Sequence, residues 1–385
     1  PGTPSWCHGF CQRENKQNNI ITLHRTTSAK TRATATLRQR HIPPNVSCNA
    51  LMTNFKQYKT GMWFAEEPAY YNQNFNGKGW SIIFCKGKES SGGTYLNDQF
   101  LGNKEITICA RHWNTAQQAS NLIYASLILE RGDTMNGNIS TQPVVYSEQE
   151  DMPHKMPKRI FDLIKNNFLI TPSLSDACLI AVKASKSKHV CYAISKYKLS
   201  CEIYSPATID LDPFHSENMK LSPFIEDHVL FSTSITLSYS AIEDLKLNLK
   251  ASPQNPSKLS NGEWNPIVKN DLEQRLIKAG IDINEPLLWA VRGTPRKIDK
   301  LRPPIAVSKP YKSSKTVRDV EVRLIDALND ARWLRSKVAT HGSTHLTPSL
   351  SPYDVANVQH LTRRLILESL GYWKYMYKKN KKHST

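Results

Sequence analysis

The sequence predicts an α+β protein in which a mixed domain of helices and sheet (residues 1–220) precedes an all-α helical bundle (residues 221–385). Two observations lead to this prediction. Short apolar runs bounded by polar or glycine-rich stretches, typical of strands, occur in the first half. Apolar residues spaced three and four apart, typical of amphipathic helices, dominate the second half. The stretch 208–224, which contains two prolines, is the predicted domain boundary.

Composition limits the classes of protein to consider. The chain has 385 residues, a formal net charge of +18 and 39% hydrophobic residues, enough for two domains with ordinary cores. No apolar run approaches the ~20 residues that cross a bilayer, and no secretory leader opens the chain, so we expect a cytoplasmic protein. The eight cysteines are scattered through the first half without zinc-like spacing. We therefore expect reduced thiols, no metal and no other cofactor.

The first half contains a predicted sheet and two predicted helices. Residues 79–87 and 104–112 are short apolar runs and are expected to be strands. Residues 115–132 form an expected helix that Gly132 ends, and a second helix is expected at 157–169.

Two further apolar runs, 177–185 and 189–205, flank a polar SKSK segment. We expect them to form a strand pair, which makes the sheet partly antiparallel. This half contains no phosphate-binding loop and no dinucleotide-binding motif. His112 and Trp113 follow an expected strand, where they line a site or serve only to end the strand.

The second half carries four expected helices, each with an apolar stripe at helical spacing: 228–247, 267–280, 316–342 and 351–376. The third, 316–342, has acidic residues mostly towards its start and basic residues towards its end, an order that suits the helix dipole. Gly342 is its expected stop. Another short element begins between Glu285 and Trp289.

Positive charge is concentrated beside this third helix. Residues 291–318 hold nine basic residues against one acidic residue, and the tail from Tyr372 adds five lysines and no acid. Such segments suit a nucleic-acid partner, because neutralising phosphates supplies most non-specific affinity. The alternative is an exposed linker and a solubilising tail. The expected RNA contacts are Arg296, Lys297, Lys300, Arg332, Lys337, Arg363 and Arg364. The last two arginines have an alternative role in pairing with Glu368 on the same helix.

An arginine and a histidine lie near the end of the third helix. Arg335 and His341 are separated by five residues. Histidine moves protons near neutral pH, and the planar guanidinium of arginine holds phosphate oxygens at two points. Together they suit RNA cleavage without a metal. The alternative is an ordinary helix end, where a histidine interacts favourably with the dipole. His345 and His360 are rival histidines without an arginine at this spacing.

This stretch resembles the signature helix of the HEPN superfamily, in which an arginine is followed, after four to six residues, by a histidine. Ser336 stands at the usual polar position after Arg335. The helix at 351–376 resembles the last long helix of these domains, and the helix at 228–247 resembles their first, with Glu243 on it. The resemblance covers roughly residues 225–378. It implies a helical bundle that commonly dimerises and, in many members, a metal-independent ribonuclease of toxin or antiphage systems.

The resemblance assigns the catalytic roles. His341 acts on the 2′-hydroxyl or the leaving oxygen, and Arg335 stabilises the phosphate. Glu243 orients either one or is an exposed or ion-paired surface acid. It also implies RNA as substrate, a homodimer, a phage-derived or antitoxin regulator, and an N-terminal domain that senses a trigger or binds a target. Two alternatives remain. The chain is a non-catalytic nucleic-acid-binding or assembly module with a HEPN-like bundle, or it is a regulator that reads duplex DNA.

Overall fold

The structure is a computed structural model that describes residues 55–65, 75–84, 94–96, 99–132, 174–204, 225–292, 317–336 and 350–373. These residues belong to one compact unit. The α+β composition expected from the sequence is confirmed, since the described residues form antiparallel sheets and seven helices. The predicted boundary at 220/221 and the predicted helix at 157–169 lie outside the described residues.

A five-stranded antiparallel sheet occupies the start of the described chain. Its strands are β1 (Lys56–Ala65), β2 (Phe75–Gly77), β3 (Trp80–Phe84), β4 (Thr94–Leu96) and β5 (Gln99–Ala110). The strand order is β1-β5-β3-β2, so the long strand β5 pairs with β1 on one edge and with β3 on the other. Strand β4 also pairs with β5. The strands expected at 79–87 and 104–112 are therefore confirmed as β3 and β5.

Helix α1 (Trp113–Arg131) follows β5 and packs on the sheet. Its apolar side chains join Ile82 and Ile108 of the sheet in one buried cluster. The helix ends as predicted, because Gly132 adopts φ +95° and its N–H bonds to the carbonyl of Ile128. Glycine reaches this left-handed conformation without steric cost.

The predicted strand pair at 177–185 and 189–205 is wrong. These residues form helices α2 (Leu174–Ala184) and α3 (Lys188–Ile203), and the Oγ of Ser187 accepts the N–H of Val190 at 3.5 Å to cap α3. Ile194, Tyr197 and Cys201 are buried at steps of three and four, which is helical spacing. The β-branched and aromatic residues that suggested strands form the face that α3 buries.

Helix α4 (Ile225–Asp244) packs along α3, and helix α5 (Pro266–Lys278) follows it. The α3–α4 contact crosses the predicted domain boundary, so described residues of the two predicted domains pack directly against each other. The seam is polar and close: Ser200 lies 2.8 Å from Ser234 and 2.7 Å from Ser238, hydroxyl to hydroxyl.

The second half also contains an antiparallel pair of strands, β6 (Leu287–Arg292) and β7 (Val317–Val322), so the prediction that it is all α is wrong. The predicted helix 316–342 accordingly begins with a strand, and helix α6 (Leu324–Leu334) starts only afterwards. Val320 and Val322 are buried opposite Trp289 and Leu287 of β6. This partner strand, distant in sequence, decides the conformation.

Helix α7 (Pro352–Ser369) is the last described helix and contributes to both hydrophobic cores. Ile366 and Leu367 join the core of the sheet and α1, whereas Val358 and Leu361 join the core around α6 and β6. A capping box starts the helix: the Ser351 N–H donates to the Asp354 carboxylate at 2.9 Å. Burying each such aliphatic side chain stabilises the fold by about 1.5–3 kcal/mol.

Within the described part of the chain, no helix combines the length and the apolar character needed to cross a membrane.

Candidate functional site

The last turns of α4 and α6 bring four side chains together. Tyr239 and Glu243 lie one turn apart on α4, and Arg332 and Arg335 lie three residues apart at the end of α6. Both arginines and Glu243 act electrostatically on the Tyr239 hydroxyl, which places all four near one point. We call this group the arginine cluster.

Arg335 and Glu243 form the ion pair at the centre of the cluster. Arg335 Nη2 lies 3.5 Å from Glu243 Oε1, and the two side chains are 35% and 33% exposed. An exposed pair of this kind contributes about 0–1 kcal/mol to stability. Glu243 therefore orients the guanidinium without holding it strongly, and a phosphate could compete for it. Ion pairing was one of the roles expected for Glu243.

Arg332 ties the end of α6 to the chain that follows α4. Its Nη2 donates to the carbonyl oxygen of Ala251 at 3.0 Å, and the hydroxyl of Ser336 donates to the Arg332 carbonyl at 2.8 Å. Beyond Leu334 the backbone continues through Arg335 and Ser336 in a wider, π-type turn. These bonds fix where the helix delivers Arg335.

Tyr239 forms the buried wall of the cluster and is 2% exposed. Burial raises the pKa of its hydroxyl and nearby Glu243 adds to the rise, whereas Arg332, the Leu249 backbone and Arg335 oppose it. The phenol is therefore neutral at physiological pH and does not serve as a base there. Sequence reasoning placed Tyr239 only in an apolar stripe. Its spacing of four from Glu243 was the signal available.

The remaining expected site residues fall into two groups. His341 lies outside the described residues, as does the rival His345, and so do four expected RNA contacts: Arg296, Lys297, Lys300 and Lys337. Their roles stay predictions. Arg332 lies in the arginine cluster.

Arg364 and Arg363 are placed inside the fold. Arg364 is fully buried, donates from Nε to Glu368 at 2.9 Å, and donates to the carbonyls of Pro286 and Asp282 at 3.0 Å. The alternative pairing with Glu368 is therefore what the structure contains. Arg363 donates to the carbonyls of Leu129 and Glu130, which closes the end of α1. Both arginines therefore have structural contacts, and neither belongs to the proposed RNA surface.

His360 is poorly suited to acid–base catalysis. Its ring lies edge-on to Trp373 with 6.1 Å between ring centroids. Burial, together with the charges of Arg363 and Arg364, lowers its pKa to about 4. The imidazole is therefore neutral at pH 7 and far from the pKa that suits a catalyst at that pH.

In the described part of the chain, no three or more histidine, cysteine, aspartate or glutamate side chains are grouped so as to hold a metal ion. No family model, no curated protein and no solved structure matches this chain.

Proposed function

We propose that the protein is a metal-independent RNA endonuclease and that the arginine cluster forms part of its active site. The observation that carries the proposal is the contact between Arg335 and Glu243. Residues from two separate helices meet where α6 ends, and the Arg335 side chain stays about one-third exposed. His341 follows Arg335 after five residues, and the net charge of +18 suits an RNA substrate.

In the proposed reaction, the 2′-hydroxyl of RNA attacks the adjacent phosphorus and the 5′-oxygen of the next nucleotide leaves. His341 takes the proton from the 2′-hydroxyl or gives one to the leaving oxygen. Arg335 binds the non-bridging phosphate oxygens and stabilises the charge that develops on them. Glu243 keeps the guanidinium oriented between turnovers. The products are a 2′,3′-cyclic phosphate and a 5′-hydroxyl.

A homodimer would complete this site. The proposed motif supplies one histidine per chain, whereas the reaction needs both a base and an acid. A two-fold axis near the end of α6 would bring two copies of Arg335 and His341 into one cleft. By its resemblance to HEPN effectors, the protein would act in the cytoplasm as a toxin or antiphage nuclease, restrained or triggered by a phage-derived or antitoxin regulator.

The direct test of the cluster is RNA cleavage in excess EDTA by the wild type and by Arg335→Ala. We expect the variant to cleave roughly 10²–10³ times more slowly, the usual effect of removing one donor to a developing charge. Its thermal unfolding should barely change, because the ion pair is exposed and weak. Arg111→Ala is the matched control, since Arg111 is exposed and lies in another part of the fold. End-group analysis should find 2′,3′-cyclic phosphates.

One observation favours a second candidate function, a nucleic-acid-binding or assembly module without cleavage. Both arginines of the cluster contact the protein itself, Arg332 at Ala251 and Arg335 at Glu243, as arginines with a purely structural role would. The same assay separates the two functions. RNA that is bound but left uncut by the wild-type dimer, with and without added Mg²⁺ or Mn²⁺, would support the binding module and contradict the nuclease.

A further inference from the structure

An open groove of about 570 Å³ lies apart from the arginine cluster, and the two share no residues. Its walls come from the β2–β3 turn, the first half of α1 and the start of α3. Ligand sites for small molecules have volumes of about 300–1,000 Å³. The groove is thus large enough for a nucleotide-sized molecule.

Local hydrogen bonds hold the groove in shape. The backbone N–H of Lys78, in the β2–β3 turn, donates to the hydroxyl of Ser185 at 3.0 Å, and that hydroxyl donates to the Val182 carbonyl at 2.8 Å. The turn of the sheet is thereby attached to the loop between α2 and α3. The groove is formed before any ligand arrives, which reduces the entropy cost of binding.

The floor of the groove is apolar and specifically packed. Trp80, Ala119 and Leu122 line it and are buried. The indole of Trp80 lies directly over Gly77, because a Cβ built there would be 2.1 Å from the ring. A flat, apolar floor of this kind accommodates a nucleobase or another aromatic ring.

The rim of the groove is positive. Lys78 and Lys188 line it and are exposed, and none of its lining residues is acidic. Lys188 is the first residue of α3, so the positive end of that helix dipole adds to the two charges. Lysine ammonium groups at a helix start suit a phosphate.

Polar and aromatic side chains complete the lining. Gln118 presents an exposed amide, which both donates and accepts hydrogen bonds and so matches the edge of a nucleobase. Asn121 Oδ1 accepts from Gln117 Nε2 at 2.9 Å, which orients the Asn121 amide. Tyr192 stands at the rim, 53% exposed, with Lys188 Nζ 5.7 Å from its ring centroid. An exposed ring beside a cation is a common platform for stacking a base.

From these features we propose that the groove binds a nucleoside phosphate, as a free nucleotide or as one unit of single-stranded RNA. The base lies on the apolar floor, the amides contact its edge, and the phosphate meets Lys78 and Lys188. The site is independent of the proposed nuclease. It fills no role in the cleavage step.

The test is isothermal titration calorimetry of the full chain with AMP and, separately, with a short oligoadenylate RNA. Two variants address the groove. Lys78→Glu with Lys188→Glu reverses the rim charge, and Ser195→Trp places an indole in the groove from an exposed position. The charge-matched control is Lys250→Glu with Lys278→Glu, two exposed lysines outside the groove. Circular dichroism checks that each variant is folded.

We expect AMP or oligoadenylate binding to weaken by roughly tenfold or more in both groove variants. The lysine double variant loses charge-assisted hydrogen bonds to the phosphate, and the indole of Ser195→Trp fills space that the ligand would occupy. The control pair should bind as the wild type does. Binding of AMP identifies a free-nucleotide site, and binding of oligoadenylate alone identifies an RNA-strand site. Absence of binding by both ligands, binding that survives Ser195→Trp, or an equal loss in the control pair would overturn the proposal.

Discussion

Single side chains in this protein are kept in one charge state by their surroundings, and His360 is the clearest case. It packs against Trp373, and burial together with Arg363 and Arg364 disfavours its cationic form. An ordinary histidine has a pKa near 6.5, whereas that of His360 is lowered to about 4. Between about pH 4 and pH 6.5, His360 therefore binds a proton in the unfolded chain but not in the folded chain.

This difference predicts a pH-dependent stability. The contribution of His360 is fully present above pH 6.5 and is lost as the pH falls towards 4, because the unfolded state binds more protons in that window. At pH 4.5 the loss should be about 2 kcal/mol. Urea unfolding at pH 7 and pH 4.5 measures it. His360→Gln should remove most of this difference, whereas His189→Gln, at an exposed position of α3, should not. An unchanged pH dependence in His360→Gln would contradict the account.

Arg335 illustrates what the sequence could and could not provide at this scale. Its chemical type and its spacing from His341 are visible in the sequence. Its proximity to Glu243 depends on how α4 packs against α6, and the Ala251 carbonyl that holds Arg332 is a backbone group with no sequence signature. The types and spacing of Arg335 and His341 were therefore readable from the sequence, whereas the contacts of Arg335 and the place of Tyr239 beside it required the fold.

Among the helices, α7 connects most of the structure, and Arg364 is its anchor. The buried guanidinium bonds to Glu368 and to two carbonyls of the turn before β6. Burial raises the pKa of Glu368, and Arg364 opposes that rise through its charge and its hydrogen bond. The two buried charges therefore depend on each other.

Removing one partner should be costly. We expect Arg364→Met to lower the unfolding free energy by about 3–5 kcal/mol, because it leaves a buried carboxylate and two carbonyls without their donor. The double variant with Glu368→Met should recover part of that loss. Arg275→Met is the comparison, because Arg275 also donates to two carbonyls, those of Lys246 and Asn248, but its carboxylate partner Asp271 is 48% exposed. No buried charge is left there, so the loss should be only about 1–2 kcal/mol. Equal losses at Arg364 and Arg275 in urea unfolding would contradict a structural role for the buried pair.

Elements with local start and stop signals were predictable, and elements fixed by distant partners were not. The ends of α1, α5 and α7 follow from Gly132, Asn265 and the Ser351–Asp354 capping box. Strand β7 has apolar residues that also fit a helix, and only pairing with β6 selects the strand. Helices α2 and α3 were mistaken for strands because their apolar residues are rich in strand formers, although the spacing of buried positions is helical.

For the molecule as a whole, the concentrated positive charge is the feature that bears on substrate. Arg296, Lys297 and Lys300 lie between β6 and β7 in the sequence, within a segment that has nine basic residues between 291 and 318. In the proposed nuclease this segment would contribute to RNA binding. Its contribution would be electrostatic and independent of base sequence.

Changing these three residues to glutamate should weaken RNA binding and flatten its salt dependence. Three lost phosphate contacts on a single strand reduce the slope of log K against log salt by about 2. Fluorescence anisotropy at several salt concentrations measures this slope. The charge-matched control changes Lys56, Lys250 and Lys278, which are exposed elsewhere. The same slope and affinity in both triple variants would remove Arg296, Lys297 and Lys300 from the proposed RNA surface.

In the proposed nuclease, Arg335 and His341 cleave RNA together. The cleavage rate of His341→Ala in excess EDTA measures the contribution of the histidine. We expect the variant to lose about 10²–10⁴-fold in rate, the usual contribution of a general acid or base, while it still binds RNA and unfolds at the wild-type temperature. His189→Ala should cleave at the wild-type rate. Full cleavage by folded His341→Ala would contradict the account.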